Sequence, residues 1–67
     1  MALTLKALRV NQNLTQSQAA QALKVTRDTI SNWENGKTFP DVEKIKAIEK
    51  LYKVKYDDII FLPLNNA

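Results

Sequence analysis

The chain has 67 residues, 45% of them apolar, and a formal net charge of +3; this suits one small domain that buries only about 60% of its unfolded surface. Cysteine and histidine are both missing, which excludes disulfides and thiolate zinc sites and removes the commonest general base and metal ligand. No apolar run approaches the ~18 residues that span a bilayer and no signal peptide opens the chain, so a cytoplasmic protein without membrane association is expected.

Taken in chain order, the sequence contains no repeat, low-complexity stretch or linker, and reads as a single domain over 1–67. A first helix is expected from Thr4 to Asn11, with Leu5, Leu8 and Gln12 on one face, ending near Asn13. Leu14 then precedes a capping box, in which Thr15 accepts from the amide of Gln18 and the Gln18 side chain reaches back to Thr15. The second helix therefore runs from Gln16 to Leu23, with Ala19, Ala20 and Leu23 inward. Ala20 is small enough to let the next helix approach closely.

Lys24-Val25 forms the turn, and Thr26 caps a third helix that continues to Asn35. Ile30 and Trp33, three apart, define its buried face, while Asp28, Ser31, Asn32 and Asn35 point away. Trp33 is thus read as core and not as a stacking platform. Asn35-Gly36 stops the helix, because the chain's one glycine adopts the left-handed conformation at little cost. Asp41 caps a fourth helix through Lys53, with Val42, Ile45, Ile48, Leu51 and Tyr52 inward. Its Lys44, Lys46, Lys50 and Lys53 alternate with Glu43 and Glu49 and read as a solvated surface only. A short fifth helix is expected from Tyr56, with Asp57 and Asp58 in its first turn and Ile59, Ile60 and Leu62 inward. Pro63 would close it, leaving residues 64–67 loose.

Two short helices joined by a tight turn, the second faced with Arg, Asp, Thr, Ser and Asn, can present hydrogen-bonding groups to base edges in a major groove. Charge placement is compatible with this. Residues 1–38 carry Lys6, Arg9, Lys24, Arg27 and Lys37 against only Asp28 and Glu34, whereas the charges of 39–67 cancel. Phosphates would draw such an excess, although chance scatter in a short chain produces the same split. Without histidine, cysteine or a glycine-rich loop, the usual parts of an active site are missing, so no catalytic residue, metal, cofactor or small-molecule ligand is expected.

The string Ile30-Ser31-Asn32-Trp33-Glu34-Asn35-Gly36-Lys37, followed by Pro40 and preceded by Leu14-Thr15-Gln16 and Ala20, resembles the phage repressor and Cro type of helix-turn-helix. The resemblance spans Leu5 to Leu62. It implies an all-α, compact five-helix bundle whose helix-turn-helix core occupies about 15–36. Members of that family usually carry glycine between the paired helices; here Lys24 stands there, and a lysine held at positive φ costs on the order of 1 kcal/mol.

The resemblance also implies roles. Gln16 matches a glutamine whose side chain and amide meet a phosphate, at a helix start that favours an anion, although it could be a helix-start residue only. Thr26, a cap, matches a phosphate contact, and Asn35 and Lys37 match residues that grip the backbone. Arg27 and Asn32 match base readers, Arg27 because a guanidinium pairs bidentately with guanine. Asp28 either reads bases, directly or by orienting Arg27, or simply complements the helix dipole. Thr29 and Ser31 flank these positions and are counted with the base readers. Arg9 and Glu34 match an internal ion pair, with a solvated Arg9 touching DNA as the lesser alternative.

The implied protein is a sequence-specific regulator of transcription, of phage or prophage Cro or repressor kind, bound to a double-stranded operator. One recognition helix reads few base pairs, so a homodimer on a near-palindromic site is expected. Phe61 and Leu64, in the apolar stretch Ile59–Leu64, are the candidates for its contact. An antitoxin that also binds its own promoter is the alternative.

Overall fold

The structure, a computed structural model, describes residues 2–62. Its elements run β1 (Leu3–Thr4), α1 (Leu5–Asn11), α2 (Gln16–Leu23), α3 (Arg27–Glu34), α4 (Val42–Tyr52), a 3-10 turn at Tyr56–Asp58, and β2 (Ile59–Ile60). Every α-helix opens on a side-chain cap. Thr4 accepts from the Ala7 amide at 3.2 Å, Thr26 from Thr29 at 3.2 Å and Asp41 from Lys44 at 2.9 Å. The Thr15–Gln18 box is complete, with bonds of 3.0 and 2.9 Å. Each such cap contributes about 1 kcal/mol.

Helix ends follow one pattern as well. Asn13, Lys24, Gly36 and Lys53 all lie in the left-handed region, at φ 60°, 60°, 75° and 59°. The residue after each donates to a carbonyl in the last helical turn: Leu14 to Arg9, Val25 to Ala20, Lys37 to Asn32 and Val54 to Glu49. These bonds satisfy carbonyls that the helix leaves without partners. The strained lysine at position 24 is therefore a cap that the closing bond holds in place.

The core gathers Leu5 and Leu8 of α1, Ala19, Ala20 and Leu23 of α2, Ile30 and Trp33 of α3, and Ile48 and Tyr52 of α4. Ile30 and Ile48 are fully buried. Gln12 Nε2 donates to the Tyr52 carbonyl at 3.4 Å, tying the end of α1 to the end of α4. Val42 departs from the inward face expected of it and is 70% exposed, so the core stops short of the first turn of α4. No helix among the described residues is long and apolar enough to cross a membrane.

The expected fifth helix is replaced by something else. After the single 3-10 turn at Tyr56–Asp58, the chain extends, and Ile59–Ile60 pairs in parallel with Leu3–Thr4, Leu3 opposite Ile59 and Thr4 opposite Ile60. Two consecutive β-branched residues favour a strand over a helix when a partner strand is at hand. The described residues thus form four α-helices and a two-stranded sheet, not a five-helix bundle. Ile59 is buried as expected, but Leu62 lies outside the core. Pro63 and Leu64 fall outside the described residues.

Burial pushes the Tyr52 phenol up to about 12 from its usual 10, with the Glu34 carboxylate adding to the rise and Arg9 opposing it. The fold thus favours the neutral phenol. Its contribution to stability is complete below about pH 10, where the unfolded phenol titrates, and is lost as pH rises through about 12. Tyr52→Phe should therefore flatten the alkaline fall in melting temperature between those values. An unchanged profile would mean that another group sets the alkaline limit.

Candidate nucleic-acid interface

The α2–α3 pair is set by small residues and by a cap from a distant helix. Ala19 and Ala20 are buried and let α3 seat Ile30 and Trp33 closely. Lys44 Nζ, from α4, donates to the Leu23 carbonyl at 3.0 Å. A cation at the carboxyl end of α2 also complements its dipole. Glu49 of the same helix accepts from the Tyr56 amide at 2.7 Å. The charged stripe of α4, read from sequence as surface only, therefore supplies two structural contacts.

At 3.6 residues per turn, Arg27, Asp28, Ser31, Asn32 and Asn35 share the face of α3 opposite Ile30 and Trp33. Arg27, Asp28 and Asn35 are exposed, and Ser31 and Asn32 are half-buried. Asn35 Nδ2 donates to Ser31 Oγ at 3.3 Å, a neutral bond that steadies the far end of this face. Thr29 lies on the flank, its hydroxyl 2.8 Å from that of Thr26. Among the described residues no hydrogen bond or ion pair joins Asp28 to Arg27. Lys37 is exposed just beyond the end of the helix.

Behind this face is a buried charge cluster. Arg9 Nε donates to Glu34 Oε2 at 2.6 Å and Arg9 Nη2 to Glu34 Oε1 at 3.3 Å. Both residues are 8% exposed. Arg9 Nη1 also donates to the Leu14 carbonyl at 2.7 Å. The hydrogen bond with Glu34 raises the Arg9 pKa above its ordinary value, outweighing burial, so the guanidinium stays charged. Gln16 Nε2 joins the cluster, donating to Glu34 Oε1 at 3.1 Å. That last contact escapes a reading of the sequence; the only hint is that Glu34 falls four residues after Ile30, on the buried arc of α3.

The chain matches the helix-turn-helix family over residues 5–59, which takes in all four helices and both paired elements of the site. It belongs to the Cro/C1-type helix-turn-helix family. A relative of this helix-turn-helix domain is the HTH-type transcriptional activator BcrR of Enterococcus faecalis, 45% identical over 56 residues. The aligned region is 84% of this chain but 28% of that protein. The helix-turn-helix domain thus corresponds to little more than a quarter of this relative's length. No solved structure matches it.

Proposed function

We propose that this helix-turn-helix domain is a sequence-specific, double-stranded DNA-binding regulator of transcription, of the phage or prophage Cro and repressor kind. It inserts α3 into a major groove and acts as a dimer on a near-palindromic operator. The observation that carries the reading is the outer face of α3. Arg27, Asp28, Ser31, Asn32 and Asn35 take no part in the core and offer donors and acceptors of the kind that read base edges. Thr26 and Gln16, at the starts of the two paired helices, lie where backbone amides favour phosphate oxygens. Lys37 and Asn35 add backbone grip beyond the helix. The related BcrR is an activator, and an operator-bound domain can regulate in either direction according to where its site lies.

Arg27→Ala and Asn32→Ala are each expected to cost about 1–3 kcal/mol on the specific site while leaving binding to random DNA nearly unchanged. Titrations on both DNAs check this. Equal losses on the two would reassign the side chains to the phosphate backbone.

Two protomers per operator follow from how little one recognition helix can read. Phe61 supports its proposed part in the contact. Its ring lies 5.7 Å from those of both Phe39 and Tyr56, and these are 63% and 52% exposed. An aromatic patch of this kind favours a protein partner. Leu64 is proposed to extend it. Selecting bound sites from a random DNA pool tests binding, specificity and symmetry together. Two inverted half-sites about one helical turn apart are expected. A single asymmetric site occupied by one protomer, as measured by sedimentation of the complex, would remove the dimer and the role of Phe61 and Leu64.

A further inference from the structure

Gln16 opens α2 and Glu34 closes α3, yet their side chains meet at 3.1 Å through Gln16 Nε2 and Glu34 Oε1. The same carboxylate takes both bonds from Arg9, whose third bond runs to Leu14 in the loop that leads into α2. The Glu34 side chain is only 5% exposed, whereas Gln16 is half-buried at the surface. We infer that Glu34 is a positioning residue for DNA binding, which fixes the end of the Gln16 carboxamide that meets the phosphate backbone. This rests on the DNA-binding reading above.

The argument is one of donors and acceptors. A carboxamide has two ends of similar size and opposite polarity, and an ionised carboxylate can only accept. Beside Glu34, the NH2 end of Gln16 is held inward through one of its two hydrogens. The second hydrogen remains for a phosphate oxygen. Without the carboxylate nothing in the protein dictates which end faces outward, and the phosphate contact has to order a freely turning amide. Arg9 completes the device. By ion-pairing with Glu34, it cancels a negative charge that would otherwise repel the same phosphate. Core burial of Glu34 alone gives no reason for the bond to Gln16.

The test uses the full chain and two variants. Glu34→Gln keeps size and an acceptor but gains a donor, so it no longer dictates the amide. Arg9→Met with Glu34→Met removes both charges together, a change that buried pairs commonly tolerate, and decides the matter if Glu34→Gln fails to fold. Nitrogen relaxation of the Gln16 side-chain amide is measured in the free protein, and affinity is measured on the selected site and on random DNA. The amide should be ordered in the parent and mobile in the variants. Adding Gln16→Ala should weaken binding roughly tenfold in the parent, as expected for a hydrogen bond to a charged group, and about twofold or less in the variants. Equal losses in all backgrounds, or an amide equally ordered without Glu34, would overturn the inference. A parent chain that binds neither DNA overturns the functional reading as well, and that failure is recognised because the parent itself shows it.

Discussion

Replacing Trp33 with alanine is expected to destabilise the domain by about 3–5 kcal/mol, enough to unfold much of it at ordinary temperature. A domain of this size holds only about 3–10 kcal/mol in total. Trp33 is 7% exposed and belongs to the cluster that joins α3 to Leu5, Leu23 and Ile48. Removing the indole leaves a cavity that short helices with few other contacts cannot close. Circular dichroism is the suitable probe, since the variant loses the chain's one tryptophan. A variant melting within a few degrees of the parent would mean that the buried face of α3 has been wrongly assigned.

Arg9→Met should be nearly as damaging, at about 3–5 kcal/mol, because it leaves Glu34 buried without a counter-charge. The Leu14 carbonyl loses its 2.7 Å donor in the same stroke. Removing both charges, with Glu34→Met added, should restore most of the loss. A residual deficit of about 1–3 kcal/mol is expected for the carbonyl left unsatisfied. Urea unfolding of the single and double variants provides the comparison. If the two single losses simply add in the double variant, the pair is not coupled and its geometry counts for little.

Local features of this fold are legible in the residues themselves; of the long-range ones, the Arg9–Glu34 pair came with the family resemblance and the others were not legible. Thr15 with Gln18, Thr26 and Asp41 announce helix starts because a cap involves only neighbours three residues apart. Ile30 and Trp33 announce the buried side of α3 by spacing alone, and with it the outer face that carries Arg27 and Asn32. Lys24 stands where the family resemblance usually places glycine, which left open a strained lysine or a differently wound turn; the residue takes the left-handed conformation, at φ 60°.

Ile59 and Ile60 misled because Asp57 and Asp58 imitate a helix's first turn, while the strand that pairs with them lies at Leu3–Thr4, near the other end of the chain. Lys44 and Glu49 misled for a related reason. Their spacing is that of a solvated face, but the groups they cap come from α2 and from the turn at Tyr56. Gln16 shows the same limit at the candidate site. Nothing local connects the first residue of one helix to the last residue of the next.

The parallel pairing of Leu3–Thr4 with Ile59–Ile60 also bears on the order of folding. Joining two segments separated by nearly the whole chain costs about 3–4 kcal/mol in loop-closure entropy. Two residue pairs cannot repay that by themselves, whereas capped helices and the short α2–α3 connection need only neighbours. The strands therefore meet only after the helices have brought them together, and they part first when the molecule opens. Backbone amides of Ile59 and Ile60 should exchange with solvent well before those of Ile30 and Ile48. The sheet is a clasp, closed last and released first.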